Sequence, residues 1–411
     1  GKNISFRIWD ASKGVVYSDA TVSVVGKDTS LVFHQDQMIG SFDTPVIWTK
    51  SSKVEQLISL HENWNWITFG VEPGTQNCDL LFSDYSGWGI LLKDRDSYIQ
   101  SNGIEWKGNL EPGVNTMYKM KITRTPATQN ATLKDQLSIS GLLLPSESMG
   151  VEIKQGWNWL PYTPLTTKRV KIALAGLNPQ IGDVIKSQTA VSIYSAYGWE
   201  GTLTSLESGH GYLYYSADES TKTFRYPEDL YNPEEHTSQP APMERGNLPS
   251  WNTGERSIQW FTPVDEHTYP NNMTMTIQLL DGSAVVDTCE IAAFVGNECR
   301  GAARAYTDGL YYLVISGEGA GQAMAIKTVL NGEVVTIDNT QNFVTDDHIG
   351  SPWEPYIINL QAAEGIEDVQ NDEGQCSMIQ KVLVNDHIYI IRNGERYDVT
   401  GKKLNTILPA E

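Results

Sequence analysis

Hydrophobic and polar positions alternate in short runs along most of the chain, as they do in strands of half-buried sheets. The runs at 274–280, 285–295, 311–315, 323–330 and 356–360 are rich in β-branched and aromatic residues. Asp281-Gly282, Asp308-Gly309 and Asn331-Gly332 separate them and tolerate the positive φ of tight hairpin turns. The pattern predicts seven to nine antiparallel strands after residue 250, the count of a β-sandwich. Only residues 168–177 suggest a short helix.

One segment recurs at a constant offset of 93 residues. ISLHENWNWI at 58–67 matches VEIKQGWNWL at 151–160, and WKGNL at 106–110 matches WEGTL at 199–203. Lys93 and Lys186 lie between these blocks at the same offset. Three tryptophans coincide without a gap, so the chain contains two copies of one β module.

A second repeat joins the two ends of the chain at an offset of 310. FHQDQMIGSFDTP at 33–45 matches FVTDDHIGSPWEP at 343–355, with six identities in thirteen positions. We interpret residues 1–50 as a partial copy, B′, of the module that occupies 251–362. The order of modules is then B′, A, A, B and a tail.

The predicted fold is all-β, with tandem β-sandwich modules of immunoglobulin-like or carbohydrate-binding-like type and a small C-terminal β-hairpin tail. The predicted segments are listed here: 1–50 (B′), 51–145 (A1), 146–230 (A2), a Pro-rich linker at 231–250, 251–362 (B), a linker at 363–376, and the tail at 377–411.

The sequence of the tail predicts a strand, an Asn393-Gly394 turn, a second strand and a Gly401-Lys402 turn. It resembles the C-terminal tails of secreted and surface proteins of the Bacteroidetes, including sorting tails of the type IX secretion system. The GWNW element at 156–159 and AAFVGNECRG at 292–301 are similar to uncharacterised modules of large exported proteins from these bacteria. The resemblance implies a secreted or outer-surface protein, and it implies neither a ligand nor a secretion route.

Charge and composition exclude several classes of partner. Fifty acidic residues against 30 basic ones give a net charge of −20, which repels nucleic acid and anionic membrane surfaces. No apolar run reaches the 18 residues that a membrane-spanning helix needs. Cys289 and Cys299 flank a predicted hairpin, and the sequence leaves open whether they form a disulfide or are two small buried hydrophobes.

Catalytic motifs are missing from the sequence. His61-Glu62 is followed by Asn63 and Trp64 rather than by a zinc-binding H-E-x-x-H pattern, and there is no G-x-S-x-G or Walker motif. We therefore expect a protein that is not an enzyme. A hydrolase with an unrecognised carboxylate pair stays as an alternative, because 50 acidic residues allow many pairs in space.

Aromatic residues supply the candidates for ligand binding. The Trp-x-Trp pairs at 64–66 and 157–159 suggest either a platform for sugar rings or the core of each sandwich, and the matching apolar residues upstream favour the core. Trp88, between two glycines, and Trp353, in a Pro-Trp-Glu-Pro loop, lie outside the repeated pattern. We take these two as candidate ligand contacts.

Asp36 and Asp346 recur before Ile-Gly-Ser, where they suggest either a calcium ligand or the cap of a turn; no other cofactor is indicated. The leading hypothesis is a non-catalytic extracellular binding or adhesion protein with a glycan or protein ligand. The alternative is a structural stalk or spacer of a larger surface protein or secreted enzyme. The oligomeric state stays open.

Overall fold

The computed structural model describes most of the chain. The described residues are 6–10, 15–17, 21–24, 35–36, 38–43, 45–49, 53–144, 148–227, 258–306, 309–330, 332–337, 341–360, 379–384, 387–392, 395–397 and 403–404. The chain divides into two compact units, Gly1–Leu360 and Gln361–Glu411. Both predicted linkers, at 231–250 and 363–376, lie outside the described residues.

The all-β prediction is confirmed, because strands in several antiparallel sheets make up nearly all of the regular structure. The strands up to residue 142 are β1 (Ile8–Asp10), β2 (Val15–Tyr17), β3 (Thr21–Val24), β4 (Val46–Thr49), β5 (Lys53–Ser59), β6 (Asn63–Thr68), β7 (Glu72–Pro73), β8 (Gly89–Lys93), β9 (Tyr98–Ser101), β10 (Trp106–Gly108), β11 (Met117–Thr123) and β12 (Gln136–Leu142).

Segment A1, together with β1 and β2 of the 1–50 segment, forms two five-stranded sheets that face each other. Their strand orders are β1-β2-β5-β12-β7 and β10-β9-β8-β11-β6, and β3 pairs with β4. Two strands of the 1–50 segment thus extend a sheet of A1, since Val16 of β2 pairs with Glu55 of β5. The core between the sheets is formed by inward residues of four strands: Val54, Ile58, Ile90, Leu92, Met120, Ile122, Leu137 and Ile139.

Segment A2 contains the next nine strands. They are β13 (Val151–Ile153), β14 (Gly156–Pro161), β15 (Lys168–Arg169), β16 (Val184–Lys186), β17 (Val191–Ser195), β18 (Gly198–Gly201), β19 (Ser205–Leu206), β20 (Gly211–Ser216) and β21 (Lys222–Phe224). The main sheet has the order β14-β20-β16-β17-β18, with β13-β21 and β15-β19 as separate pairs. Its core is rich in tyrosine, and Tyr162, for example, donates its hydroxyl hydrogen to Thr166 O at 2.7 Å.

The repeat at offset 93 extends to backbone conformation. Asn63 and Gly156 both have positive φ, 69° and 86°, in the turn before the Trp-x-Trp strand. Gly108 and Gly201 have φ of 135° and 141°, and the two residues after each donate backbone hydrogen bonds to one carbonyl, that of Tyr98 or Val191. The two modules therefore share their turns as well as their tryptophans.

The described residues of segment B form eleven strands. They are β22 (Asn271–Asp281), β23 (Ala284–Val285), β24 (Glu290–Val295), β25 (Glu298–Arg304), β26 (Leu310–Gly317), β27 (Gln322–Ala323), β28 (Ala325–Leu330), β29 (Glu333–Ile337), β30 (Asn342–Phe343), β31 (His348–Ile349) and β32 (Tyr356–Asn359). One sheet contains β23-β22-β26 with β31 and β32 beside β22, the other has the order β25-β24-β28-β29, and β27 pairs with β30.

The expectation of a purely antiparallel module B is wrong for two strands. Both β31 and β32 run parallel to β22, with Thr274 opposite His348 and Ile277 opposite Tyr356. The chain enters β31 after pairing β30 with β27 and then continues along β22 in the same direction. Alternation of apolar and polar residues carries no information on strand direction, so the sequence could not show this.

The described helices are short. α1 (Cys78–Leu81) is followed by a 3-10 turn at Ser83–Tyr85, and α2 (Val170–Ala173) by one at Ala175–Leu177. The helix suggested for 168–177 is thus one α turn and one 3-10 turn, preceded by β15. Neither described α-helix has the length and apolar character that crossing a membrane requires. Cys289 and Cys299 are free thiols, as is Cys78, so the disulfide is not formed.

The second unit contains the tail, which has four described strands. β33 (Ile379–Val384), β34 (His387–Arg392), β35 (Glu395–Tyr397) and β36 (Lys403–Leu404) form an antiparallel sheet in sequence order. The predicted hairpin is the β34-β35 pair, joined across residues 393–394. The strands before and after it enlarge the hairpin to a small meander.

Candidate functional site

The Trp-x-Trp pairs point away from the core of their own modules. Alternate residues of a strand share a face, so Trp64 and Trp66 project from one face of β6, and Ile67 enters the A1 core from the other. Trp66 instead packs with Leu213 of A2 and with the second pair, Trp157 and Trp159. The expectation that these tryptophans fill each sandwich is wrong, because they pack between modules.

Two lysines are buried among these indoles. Lys119 Nζ lies 4.6 Å from the ring centroid of Trp66 and 4.9 Å from that of Trp159. Lys186 Nζ lies 4.5 Å from the centroid of Trp157. Lys119 is 1% exposed and Lys186 is fully buried. The ring faces supply negative potential to ammonium groups that have lost most of their water.

Segment B supplies the hydrogen-bond acceptors for both lysines. Lys119 Nζ donates to Asn271 Oδ1 at 2.8 Å, and Lys186 Nζ donates to the carbonyls of Asn272 at 3.2 Å and Asp347 at 3.4 Å. Asp346 Oδ1 lies 3.9 Å from Lys119 Nζ, an ion pair too long for a hydrogen bond. We name this group the lysine junction: Trp66, Trp157, Trp159, Lys119, Lys186, Asn271, Asn272, Asp346 and Asp347.

Burial shifts the titration of the junction. Loss of water lowers the pKa of Lys119 to about 8 and that of Lys186 to about 7, although the carboxylate of Asp346 opposes both shifts. Lys186 therefore titrates close to neutral pH. Burial and the charge of Lys186 lower the pKa of His348 to about 4, so this imidazole is neutral at pH 7 and bonds to Thr274 Oγ1 at 2.7 Å.

The open edge of β6 is closed by the other two segments. Trp66 N donates to Gln188 Oε1 at 2.9 Å, while Trp64 N donates to His267 O at 2.8 Å. Thr68 N donates to Gly209 O at 2.9 Å, and Gln188 Nε2 returns a bond to Trp64 O at 3.0 Å. The backbone N–H and C=O groups on the outer side of an edge strand usually have no partner in the sheet. In β6 these groups bond to A2 and B and so hold three modules together.

A cleft of about 300 Å³ lies beside this edge, between A1 and A2. Neutral hydrogen-bonding side chains supply much of its lining: Ser59, Ser187, Gln188, Thr189, Thr202, Thr204 and Ser205. Three of the chain's seven histidines line it as well, namely His61, His210 and His267. The cleft therefore has a polar wall formed by both repeats and one corner formed by segment B.

The histidines form two distinct groups. The rings of His61 and His267 stack with centroids 4.2 Å apart, and His267 Nδ1 lies 2.6 Å from Trp64 O. His210 Nδ1 is buried and has no hydrogen-bond partner among the described residues. An unpaired buried polar atom costs about 1–3 kcal/mol, which a ligand's hydroxyl could recover.

Two carboxylates, Glu207 and Glu266, also line the cleft. Both residues are exposed. The described part of the chain holds no cluster of three or more His, Cys, Asp or Glu side chains suited to a metal ion. The site thus offers hydrogen bonds and a negative charge.

The two tryptophans predicted as ligand contacts lie outside the cleft and in different surroundings. Trp88 is 5% exposed and belongs to the A1 core, with the Arg124 guanidinium 5.2 Å from its ring centroid. Packing in the A1 core accounts for Trp88 without a ligand. Trp353 is 50% exposed, in a turn where Glu354 N bonds to the Ser351 hydroxyl at 3.0 Å.

The calcium reading of Asp346 does not fit its surroundings. Its carboxylate lies beside Lys119 and opposes the lowering of the pKa of Lys93, Lys119 and Lys186. The ammonium groups of these three lysines would repel a calcium ion from that position. Asp36 and Asp346 both have positive φ, 60° and 63°, which suits the turn reading.

Sequence reasoning missed the buried lysines. It noted that Lys93 and Lys186 recur, and a lysine kept at one offset with tryptophans was the available signal. Lys119 has no such signal, because it does not recur in the second copy. Lys119 lies opposite Trp66 in A1, whereas Leu213 lies opposite the equivalent Trp159 in A2.

No protein-family model matches the chain, and no curated protein matches it. A solved structure described as "The Bacillus anthracis TIE protein" is similar over 77% of this chain and 55% of that chain, at 12% identity and a TM-score of 0.15. A TM-score this low carries no argument about fold or function.

Proposed function

We propose that the chain is a non-catalytic extracellular binding protein whose ligand is a glycan held in the cleft between A1 and A2. The observation that carries the proposal is the cleft itself, a polar hollow between two repeated modules that are fixed relative to each other by the edge of β6. Preformed clefts of this size are the usual sites for small ligands.

The lining favours a sugar over a charged metabolite. Hydroxyl and amide side chains both donate and accept, as sugar hydroxyls do. Glu207 and Glu266 disfavour an anionic ligand, and the described residues that line the cleft include no Lys or Arg to offset them. A neutral oligosaccharide should therefore bind more tightly than its carboxylated counterpart. The acidity of the chain and the resemblance of its tail support the extracellular placement.

A glycan array followed by titration calorimetry tests this proposal. Thr189→Trp and Thr204→Trp would place an indole in the cleft from exposed positions, and each should weaken binding at least tenfold with little change in melting temperature. Thr132→Trp, exposed but outside the cleft, is the matched control. Equal binding by all three variants would remove the cleft from the proposal.

Trp353→Ala tests the exposed tryptophan separately. It should leave binding through the cleft unchanged, because Trp353 does not line it. Trp88→Ala is unsuitable, since truncating a buried tryptophan costs about 3–5 kcal/mol of stability.

The lysine junction favours a second candidate, a rigid spacer. Modules joined by buried lysines and indoles keep a fixed geometry, whereas modules joined by a simple linker do not. Two results together would favour the spacer. Hydrogen exchange at β6 and β16 would be as slow as in the module cores, and no glycan on the array would bind.

The third candidate, a hydrolase, would need the Glu207 and Glu266 carboxylates. We expect no release of reducing ends from a panel of polysaccharides. Turnover that disappears in Glu207→Gln or Glu266→Gln would contradict the non-catalytic proposal.

A further inference from the structure

Lys119 of A1 and Asn271 of B are 152 positions apart in the chain and meet through their side chains. Lys119 Nζ donates to Asn271 Oδ1 at 2.8 Å, and the C=O bond adds at most about 1.2 Å, so Nζ lies within about 4.0 Å of the amide carbon Cγ. Reacting atoms in a near-attack geometry are about 3–3.5 Å apart. A small movement of the lysine side chain therefore brings an amine onto a carboxamide carbon.

The amide of Asn271 is held with its oxygen toward Lys119 and its nitrogen away from it. Asn271 Nδ2 donates to Glu318 O at 3.0 Å, on the exposed side of the side chain. This second bond decides which end of the amide faces the lysine, since only the nitrogen can donate to a carbonyl. It also places the nitrogen where ammonia can leave into water.

Lys119 is placed to supply the neutral amine that attack on an amide needs. Its side chain is 1% exposed, and its Nζ lies between the indoles of Trp66 and Trp159. A pKa of about 8 leaves roughly a tenth of Lys119 unprotonated at pH 7, whereas an exposed lysine is almost fully protonated there. Desolvation activates lysines as nucleophiles for the same reason.

Asp346 supplies a base beside the amine. Its Oδ1 lies 3.9 Å from Lys119 Nζ, is buried, and has no hydrogen-bond partner among the described residues. This oxygen is therefore free to take a proton from Nζ. A backbone bond holds Asp346 in place next to Asn271, because Asp346 N donates to Asn272 O at 3.0 Å.

We propose that Lys119 and Asn271 form an intramolecular amide bond, with Asp346 as the proton carrier. Nζ attacks Cγ, the Nζ–Cγ bond forms, the Cγ–Nδ2 bond breaks, and the nitrogen of Asn271 leaves as ammonia. Asp346 accepts one proton from Nζ and gives it to the leaving nitrogen, so the step balances without an oxidant or a further reactant. The bond joins A1 to B covalently, independently of the linker at 231–250. In chains that carry it, Lys119 no longer titrates and Lys186 does.

The other buried lysine of the junction is arranged differently. Lys186 Nζ donates to the backbone carbonyls of Asn272 and Asp347, whose carbons belong to the main chain. The side-chain amide of Asn272 donates instead to the carbonyls of residues 187 and 188. We therefore expect a single amide bond, at Lys119.

Mass spectrometry of the denatured full-length chain tests the proposal. After prolonged incubation of the folded chain in mildly alkaline buffer, we expect an intact mass lower by one ammonia, about 17 Da. Tryptic digestion should yield a branched peptide that joins residues 108–121 to residues 257–300, because trypsin does not cleave after an acylated lysine at position 119.

Variants assign the bond to its residues. Lys119→Met and Asn271→Ala should each abolish the mass loss and the branched peptide. Lys121→Met is the matched control and should keep the mass loss, since Lys121 is on the same strand but has its ammonium over Trp64. Asp346→Asn keeps the turn, because Asn also tolerates positive φ, and should slow bond formation at least tenfold. Near-ultraviolet circular dichroism checks that each variant is folded.

Three results would count against the proposal. An unchanged intact mass of the incubated wild-type chain would overturn it. So would a mass loss that persists in Lys119→Met, since an asparagine can also lose ammonia by cyclising onto its own backbone. Equal rates in wild type and Asp346→Asn would overturn the role of Asp346. The cleft plays no part in this bond, so each of these results leaves the proposed glycan binding untouched.

Discussion

Asn65 and Asn158, the central residues of the two Trp-x-Trp elements, fix the turns before their strands. Asn65 accepts a hydrogen bond from His61 N at 2.9 Å and donates to the carbonyls of His61 and Asn63. Asn158 repeats this with Lys154 and Gly156. The repeated asparagine therefore has a structural reason, which is independent of ligand binding.

We predict that Asn65→Ala and Asn158→Ala each lower the free energy of unfolding by about 2–3 kcal/mol. Each change removes at least three hydrogen bonds between the asparagine side chain and part-buried backbone groups. Denaturant titration measures the loss. Asn109→Ala, at an exposed site of the same module, should change stability by less than about 0.5 kcal/mol. Equal effects at all three positions would contradict the prediction.

Gly108 and Gly201 are required by the close approach of two strands. A Cβ at Gly108 would lie 2.2 Å from Tyr98 O, and one at Gly201 would lie 2.3 Å from Val191 O. Gly108→Ala and Gly201→Ala should each destabilise the protein by about 1–3 kcal/mol, by thermal unfolding. Gly113→Ala, where no atom lies within 4 Å of the added carbon, should be nearly neutral.

At the scale of elements, the edge of β6 determines how the modules meet. An edge strand normally needs protection from unwanted pairing. Here Gln188 of A2 acts as a short substitute for a neighbouring strand, because its amide both accepts from Trp66 N and donates to Trp64 O. This contact also forms one wall of the cleft.

Removing that contact should loosen the edge without unfolding a module. We predict that Gln188→Ala accelerates hydrogen exchange at the Trp66 amide and costs about 1–3 kcal/mol, because the amide then lacks its acceptor. Mass spectrometry of exchange locates the change. Gln100→Ala, at an exposed position of β9, should leave hydrogen exchange at the Trp66 amide unchanged. Unchanged protection of Trp66 in Gln188→Ala would show that the bond does not hold the edge.

At the scale of the whole molecule, the lysine junction links stability to pH. Burial lowers the pKa of Lys119 to about 8 and that of Lys186 to about 7 in the folded chain, from the ordinary lysine value of 10.5. At pH values between the folded-state pKa of each lysine and its unfolded value of 10.5, the unfolded chain binds a proton that the folded chain does not. Folding is therefore penalised at low pH, and the penalty is relieved as pH rises above about 7.

We predict that the free energy of unfolding rises between pH 7 and pH 9.5, with at most about 1.4 kcal/mol per pH unit from each lysine. Lys186→Met should flatten this rise and keep stability at pH 7, because the carbonyls of Asn272 and Asp347 retain backbone donors. Denaturant titrations at several pH values measure it. Lys154→Met, at a largely exposed lysine, should keep the wild-type slope.

The sequence alone determined the all-β fold and the internal repeats. Alternating apolar residues and Asn-Gly or Asp-Gly steps are local signals, so short strands and their turns follow from them. The offsets of 93 and 310 also predicted where equivalent turns lie, and Gly108 with Gly201 and Asp36 with Asp346 have matching backbone angles. These features depend on residues that are near each other in the chain.

Only the tertiary structure decided which face of the Trp-x-Trp strand meets which neighbour. Alternation identifies the inner face of a strand when the other face meets water, but β6 is buried on both sides and the Trp face of β14 is half-buried. The sequence therefore predicted that the indoles fill the module cores, and it gave no sign that Trp88, outside the repeated pattern, packs in the A1 core. The burial of Lys119 and Lys186 is likewise set by residues more than 80 positions away in segment B, because only there does the chain supply the acceptors that make two buried ammonium groups tolerable.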